Sequence, residues 1–181
     1  FIYVGRLKFE GQKRLKDMLD AFAGVTGKWE CHFIGDGSDA DVCQAYAQQL
    51  GINEHIFWHG WQADPWGFIQ NHIKNVSAFV MSSAFEGLPM TLLEAMSYGI
   101  YCVSSDCPSG PGDIIRNQVN GRLYPPGDTL ALQAILQEMV DSASLPDAQQ
   151  IVSSIDNFYD ETYYQTMKTI VDNTLRHQNN R

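Results

Sequence analysis

Short apolar runs alternate with helical patterns along most of this chain, and that alternation limits its possible folds more than any other feature. The runs, such as FIYV at the start, carry no regular polar alternation and tend to end at glycine or serine. Strands that read this way are buried on both faces of a parallel sheet, with helices packed above and below. The sequence therefore predicts an α/β domain with a doubly wound, Rossmann-like parallel sheet, whose ligands bind beyond the carboxyl ends of the strands.

The individual elements follow from the periodicity of the apolar residues. Strands are predicted over 1–4, 29–34, 55–58, 76–81 and 100–103, with a small extra strand over 119–124. Helices are predicted near 13–24, 39–50, 111–117, 129–141 and 160–177. Two further helices are marked by proline, since Pro65 suits the first turn of one and Pro89 the first position of another.

The composition excludes several classes of protein. A net charge of −9 and a pI near 4.8 argue against a nucleic-acid-binding protein, which would carry a basic face. The four cysteines form no CxxC pair, and the five histidines form no metal-ligand pattern. No apolar run reaches the length of a membrane span and no signal peptide is visible, so we expect a cytoplasmic protein with reduced thiols. We expect neither a metal nor another cofactor.

The beginning of the chain predicts a missing partner domain. The residues FIYVG already read as a strand, and no initiator methionine precedes them. A natural protein seldom begins inside a strand, so we expect residues 1–181 to be one domain cut from a longer chain. At this length a single domain can bury a sizeable core.

Two glutamates, Glu86 and Glu94, stand on either side of the turn that opens the helix at Pro89. On a helical wheel the apolar residues of this helix share one stripe, while Glu94 falls on the opposite side. Such carboxylates either hold the hydroxyl groups of a ligand or belong to a solvated helix start. The residues alone favour neither interpretation.

The same helix start offers backbone donors. The first turn of a helix leaves N–H groups without intrahelical partners, here those of Leu88, Met90 and Thr91. Together with the helix dipole, these groups make a ready site for an anion.

Two cations stand near the end of the first predicted strand. Arg6 lies just past that strand, and Lys13 lies just inside the helix that follows. An arginine and a lysine that converge at a strand end can clamp a diphosphate. Taken alone, however, such residues are more often solvated surface.

The segment GDGSDA at 35–40 formally fits the dinucleotide fingerprint G-x-G-x-x-A. A dinucleotide site would also need an acidic residue at the end of the next strand, where the sequence reads WHG instead. We therefore reject NAD, and a tight strand–helix turn is about as well supported as a direct ligand contact. His59 in WHG either lines the cleft or, as we favour, is a structural histidine.

Taken in order, these motifs resemble the carboxyl-terminal half of retaining GT-B glycosyltransferases of family 4. The resemblance rests on VGRL, GDG, HGW, S-x-x-EG-x-P-x-x-x-x-E-A-x-x-x-G, SGPGDII and NG-x-L-Y-x-x-GD, and it covers positions 1 to about 130. Within the family, the resemblance points to galactosyltransferases of the lipopolysaccharide core, which use UDP-galactose. It implies a Rossmann-like half of a GT-B fold over 1–181, with the amino-terminal acceptor domain missing.

The resemblance also implies roles for the charged residues. Arg6, with Gly5 beside it, and Lys13 would contact the diphosphate of a UDP-hexose and stabilise the charge of the leaving group. Glu94 would hold the ribose hydroxyls, and Glu86 the transferred hexose. These implied roles agree with the local chemistry of each residue type.

Backbone groups have implied roles as well. The amides around Leu88, Met90 and Thr91 would cradle phosphate and sugar, and the backbone near Gly60 and Trp61 would meet the uracil. The resemblance also implies that no metal is needed, since in such enzymes cationic side chains and helix N-termini generally replace it. The acceptor, a lipopolysaccharide core, would be bound through the missing half, which would also make any peripheral contact with the inner membrane.

Two departures from the family pattern concern the proposed site. Compared with common members of the family, this chain has two extra residues between Arg6 and Lys13, which makes the match at Lys13 weaker than that at Arg6. Asp113 replaces the usual glutamate and has a shorter side chain. A non-catalytic nucleotide-sugar-binding module, or a UDP-sugar hydrolase or epimerase of the same fold, are the alternatives. On its own the chain is expected to bind donor without turnover.

Overall fold

The computed structural model describes residues 1–141 and 145–159, together with Lys168. In the described part of the chain, six strands form one sheet in the order β3-β2-β1-β4-β5-β6, and every neighbouring pair is parallel. The strands are β1 (Ile2–Val4), β2 (Cys31–Ile34), β3 (Ile56–Trp58), β4 (Phe79–Met81), β5 (Cys102–Ser105) and β6 (Gly121–Tyr124). The predicted doubly wound sheet is confirmed, and the small extra strand is its sixth member.

Helices connect the strands. They are α1 (Leu15–Ala23), α2 (Ala40–Gln49), α3 (Pro65–His72), α4 (Met90–Ser97), α5 (Pro111–Ile114), α6 (Thr129–Asp141) and α7 (Ala148–Ser153), with 3₁₀ turns at Asn53–His55 and Asp156–Phe158. The predicted helix over 160–177 lies outside the described residues, Lys168 excepted. None of the helices within the described ranges has the length and apolar character needed to span a membrane.

The core lies between the sheet and its helices. The three residues of β1 and the three of β4 are all buried, as expected for strands covered on both faces. Helix α1 buries the stripe that its spacing predicted, which includes Leu15, Met18 and Phe22. Full burial of each such side chain contributes about 1.5–3 kcal/mol, so this stripe fixes α1 against the sheet.

Several element boundaries differ from the prediction by a few residues, and two of these lie at the carboxyl edge of the sheet. Lys13 does not lie inside α1, because Arg14 adopts a left-handed conformation with φ of 48° and the helix begins only at Leu15. Pro89 is the residue that precedes α4, with an extended ψ of 91°, and Met90 is the first helical residue. Both changes keep a charged or polar loop, rather than a helix, at the carboxyl edge of the sheet.

Helix α7 was not predicted. Its six residues, AQQIVS, contain one buried position, Ile151, so they show no helical period. The helix packs against α4, and the Asn120 side chain, itself buried, donates to the Ser154 hydroxyl at 2.8 Å. Tertiary contacts rather than local pattern hold this segment.

Candidate active site

Three loops meet where the strand order reverses, between β1 and β4. In parallel α/β sheets such a reversal opens a crevice at the carboxyl ends of the strands, and ligands bind there. The Ala84 N–H donates to the Gln12 carbonyl at 2.7 Å, which joins the loop after β4 to the loop after β1. The Glu86 N–H donates to the Pro108 carbonyl at 2.9 Å, and this bond adds the loop after β5. Backbone hydrogen bonds therefore hold the three loops together at this crevice.

Lys13 and Glu86 form an ion pair across this crevice. The Nζ of Lys13 lies 2.7 Å from Oε1 of Glu86, and only 17% and 9% of the two side chains are exposed. The Ser82 hydroxyl donates to the Lys13 carbonyl at 2.9 Å and so fixes the backbone that carries the cation. The structure thus brings together two of the three residues predicted to be catalytic, and it pairs them directly.

Arg6 lies at the end of β1 with its residue exposed. Its guanidinium makes no ion pair to any residue within the described ranges. The buried Tyr3 hydroxyl donates to the Arg6 carbonyl at 2.8 Å, and the Gly5 N–H donates to the Ile34 carbonyl at 3.0 Å. Burial, with the Glu86 carboxylate nearby, raises the pKa of Tyr3, which keeps this hydroxyl protonated as a donor. The backbone of Arg6 is therefore fixed while its charge faces solvent.

The start of α4 carries the backbone donors that the sequence predicted. Across the described chain, the N–H groups of Leu88, Met90 and Thr91 find no hydrogen-bond acceptor. The first turn contains no acidic residue, and the side chains of Leu88 and Met90 are exposed. Because these N–H groups point out of a helix start next to Glu86, they can accept an anion from the crevice.

Glu94 lies on the face of α4 opposite the buried apolar stripe, as the wheel predicted. Its Oε2 accepts a hydrogen bond from Nε1 of Trp66 at 2.9 Å. Trp66 belongs to α3, directly after Pro65, and is buried. The sequence analysis missed Trp66, because no spacing relates it to Glu94; only its position beside a helix-starting proline pointed to an ordered side chain.

Gly60 and Trp61 follow β3, two strands away from β1 in the sheet. The Gly60 carbonyl accepts from the Gly35 N–H at 2.8 Å, so this loop is tied to the loop after β2. Trp61 is 72% exposed, the second highest exposure among the large apolar side chains described. An exposed indole can offer a stacking face to a base.

The GDGSDA segment packs against its own chain. A methyl group added to Gly35 would collide with the Gly5 carbonyl, and one added to Gly37 would collide with the Leu7 carbonyl. The Asp39 carboxylate accepts from the Phe9 N–H at 3.1 Å and from Nζ of Lys8 at 3.2 Å. The glycines therefore serve close backbone approach, and the structure favours the tight turn over a ligand contact.

His59 is a structural histidine. Its Nε2 lies 2.9 Å from Nδ1 of His32, and the two rings are stacked with centroids 5.2 Å apart. The His59 ring also packs against Phe68. Burial lowers the pKa of both imidazoles, so they are neutral near pH 7 and share one proton in a hydrogen bond.

The later glycine–proline turn supports the Glu86 loop. Gly110 packs directly against the Gly87 carbonyl and Pro89, and the Ser109 N–H donates to the Glu86 carbonyl at 3.1 Å. Asp113 is exposed. No group of three or more metal-ligating side chains occurs within residues 1–141 and 145–159. The four cysteines are free and buried, and burial raises the pKa of each thiol.

Structural comparison finds the same fold in other solved proteins. The chain aligns with the Anabaena protein HepE, solved in complex with UDP, at a TM-score of 0.73 and 20% identity, covering 96% of this chain and 49% of that one. The family model of glycosyl transferases group 1 matches residues 1–154. The chain belongs to that family, as its ordered motifs predicted.

Closer relatives are lipopolysaccharide 1,6-galactosyltransferases. The Escherichia coli enzyme is 49% identical over 171 residues, which is 94% of this chain and 48% of the enzyme. The Salmonella typhimurium enzyme is 49% identical over 176 residues. A solved lipopolysaccharide outer core galactosyltransferase, WaaB in its apo form, superposes with a TM-score of 0.92 at 49% identity, over 96% of this chain and 48% of that one. The chain thus spans about half the length of these relatives.

Proposed function

We propose that this chain is the donor-binding, carboxyl-terminal half of a retaining glycosyltransferase that transfers galactose from UDP-galactose to a lipopolysaccharide core. The 49% identity to lipopolysaccharide 1,6-galactosyltransferases supports the substrate class. The observation that carries the proposal is the Lys13–Glu86 ion pair beside the N–H groups at the start of α4, which have no acceptor among the described residues. The cation and the N–H groups can bind the anionic diphosphate of a nucleotide sugar. The carboxylate can accept hydrogen bonds from the hydroxyl groups of its sugar.

The proposed roles follow the charge of each group. Arg6, Lys13 and the backbone N–H groups at the start of α4 bind the diphosphate, with Gly5 allowing its close approach. Glu86 contacts the hexose, and Glu94 accepts from the ribose hydroxyls. The uracil lies against Gly60 and Trp61. A charge-assisted hydrogen bond of this kind contributes about 1.5–3 kcal/mol, so each contact matters to affinity.

The reaction that these groups support is cleavage of the bond between the sugar C1 and the diphosphate oxygen. The sugar passes through an oxocarbenium-like state, the acceptor hydroxyl oxygen bonds to C1 on the leaving-group face, and its proton passes to the departing phosphate. Lys13 and Arg6 stabilise the negative charge that develops on the diphosphate, and this electrostatic term lowers the barrier. The acceptor, and any peripheral contact with the membrane, are proposed to use an amino-terminal half.

Calorimetric titration of UDP into the chain tests the binding step. We expect Arg6→Ala and Glu94→Ala each to weaken UDP binding by about tenfold to a hundredfold, the loss of one charge-assisted contact. Arg116→Ala is the matched control, since Arg116 is an exposed arginine before the amino end of β6, away from the crevice. UDP binding that is absent, or that neither site substitution changes, contradicts the proposed site.

Activity of a longer protein that contains this chain tests the catalytic step. Glu86→Gln keeps the shape of the side chain and removes its charge, so we expect the transfer rate to fall at least a hundredfold while UDP still binds. A non-catalytic binding module would show no transfer to lose. Rates with UDP-galactose and UDP-glucose then identify the donor, and detectable transfer by residues 1–181 alone would contradict the assignment of the acceptor to another domain.

A further inference from the structure

The indole of Trp66 is fixed by packing against neighbouring aromatic rings. Trp66 is 7% exposed, its ring stacks on Tyr98 with centroids 5.6 Å apart and planes at 20°, and Phe79 lies on the inner side at 6.4 Å. Tyr98 is the residue after the last turn of α4, and Phe79 belongs to β4. Contacts from two separate elements therefore determine where the indole N–H points.

That N–H determines where one oxygen of Glu94 lies. An indole carries a single donor and no acceptor, and a buried donor without a partner is costly. Nε1 of Trp66 meets this need by donating to Oε2 of Glu94 at 2.9 Å. A glutamate side chain with several rotatable bonds is thereby held in one orientation, although it projects from the outer face of α4.

The other carboxylate oxygen keeps its capacity to accept. Oε1 of Glu94 has no hydrogen-bond partner among the side chains and backbone groups that the structure describes. An ionised carboxylate oxygen has two lone pairs and can accept from two neighbouring hydroxyl groups. The two oxygens of Glu94 therefore have different tasks, one internal and one available to a ligand.

We propose that Trp66 is a positioning residue for ribose recognition: it anchors Oε2 of Glu94 so that Oε1 is presented to the vicinal hydroxyls of the nucleotide. This inference rests on the proposed assignment of Glu94 to the ribose. Preorganisation of this kind increases affinity, because the Glu94 side chain is already ordered and the ligand does not have to offset the entropy lost on ordering it. Trp66 itself touches the carboxylate and not the ligand.

The affinity ratio between UDP and 2′,3′-dideoxy-UDP measures this effect. We expect Trp66→Phe, which keeps an aromatic ring and removes only the N–H donor, to reduce that ratio by about threefold to tenfold. The affinity for the dideoxy nucleotide itself should change little, because that ligand has no hydroxyl for Glu94 to accept from. A ratio equal to that of the unsubstituted chain overturns the inference.

Trp29→Phe is the matched control. Trp29 is also buried, at 6% exposure, and its Nε1 donates to the Val25 carbonyl at 3.2 Å, next to the amino end of β2. The Trp29→Phe substitution also removes a buried indole N–H donor, but at a distance from the crevice. It should therefore lower the melting temperature without changing the affinity ratio. If both substitutions lower the ratio equally, the effect is general loosening and the inference is wrong.

The Glu94→Ala background separates this inference from the proposed function. In that background Trp66→Phe should have no further effect on the ratio, because the anchored group is gone. If Glu94→Ala leaves UDP binding unchanged, the proposed ribose contact fails and the inference fails with it. If Glu94→Ala lowers the ratio and Trp66→Phe does not, only the role of Trp66 is wrong.

A spectroscopic measurement covers the case in which Trp66→Phe unfolds the chain. In the ¹⁵N-labelled, unsubstituted chain, the indole N–H signal of Trp66 should stay protected from solvent exchange when UDP is bound. Glu94→Ala should shift that signal and speed its exchange, while the Trp29 signal stays in place. Faster exchange of the Trp66 indole on addition of UDP means that the anchor releases on binding, which overturns the inference.

Discussion

Two segments at the carboxyl edge of the sheet both contain glycines and a carboxylate, but they differ in whether the fold uses the hydrogen-bonding groups they carry. The loop over 35–39 has the spacing of a nucleotide-binding fingerprint, yet its glycines pack against Gly5 and Leu7 and its Asp39 carboxylate is occupied by the chain itself. The segment over 82–91, which is the loop after β4 with the first two residues of α4, has no such fingerprint. Within the described part of the chain its N–H groups at the helix start have no acceptor, and its Glu86 carboxylate is paired with a cation. We call residues 35–39 the packed loop and residues 82–91 the open segment. Hydrogen-bonding capacity that the fold has not used, rather than motif spacing, distinguishes a ligand site from a packed turn.

The largest effect is expected from a substitution that disrupts the packed loop over residues 35–39. Gly37→Ala would place a methyl group against the backbone carbonyl and N–H of Leu7, which cannot move as a flexible side chain could. We expect a loss of about 3 kcal/mol or more in the free energy of unfolding, measured by urea denaturation. A loss below about 0.5 kcal/mol would mean that this loop is not tightly packed.

An intermediate effect is expected from the ion pair that joins Lys13 to Glu86 of the open segment. Lys13→Met keeps the apolar stem and leaves the largely buried Glu86 carboxylate unpaired, so we expect a loss of about 2–3 kcal/mol in the free energy of unfolding. Glu86→Gln added to Lys13→Met should recover part of that loss, because no uncompensated charge then remains.

The matched control is Lys8→Met, which removes the cation paired with Asp39 of the packed loop. Lys8 pairs with Asp39 at 3.2 Å, and 38% of its side chain is exposed. A solvated pair of this kind contributes little to stability, so urea denaturation should detect little change. Equal losses from Lys8→Met and Lys13→Met would remove the distinction between the packed loop and the open segment.

A smaller effect concerns the pH dependence of the packed region. Burial lowers the pKa of His32 and His59 in the folded state, so the unfolded chain binds protons that the folded chain resists. This contribution to stability is complete above the ordinary histidine pKa of about 6.5 and is lost as the pH falls through the lowered folded values. The melting temperature should therefore fall from pH 7 to pH 5, and His59→Gln should flatten that slope. An unchanged slope would show that the stacked pair does not resist protonation.

The smallest effect is expected from a substitution in the open segment, residues 82–91. A methyl group on Gly87 would meet no atom within 4 Å, and its φ is not in the left-handed range. Gly87→Ala should therefore change the free energy of unfolding by less than about 0.5 kcal/mol. A loss as large as that of Gly37→Ala would show that the open segment is as constrained as the packed loop.

The sequence predicted the elements whose apolar pattern is strong. Helix α1 and the buried β1 and β4 were placed within a few residues, because burial on one stripe or on both faces leaves a periodic trace. Helix α7 left none, since only Ile151 of its six residues is buried. The start of α1 was misplaced because the left-handed conformation of Arg14, which holds Lys13 outside the helix, has no signature in residue type.

The candidate site was predicted as a set of residues but not as a set of contacts. Arg6, Lys13 and Glu86 were expected at one edge because parallel strands end together. The pairing of Lys13 with Glu86, and of Trp66 with Glu94, joins residues that are 73 and 28 positions apart. Such contacts depend on side-chain directions across the finished fold. The ambiguity of GDGSDA had the same origin, since the backbone it approaches lies 30 positions earlier.

The bond from the Tyr3 hydroxyl to the Arg6 carbonyl has an entropic consequence. Fixing the backbone of a residue costs about 1–2 kcal/mol, and for Arg6 that cost is met when the domain folds. A ligand that recruits Arg6 then has to restrict only the rotamers of one side chain, about 0.5–1.5 kcal/mol. The exposed guanidinium of Arg6 is thus carried by an anchored backbone, so a ligand that bound it would order one side chain without loosening the end of β1.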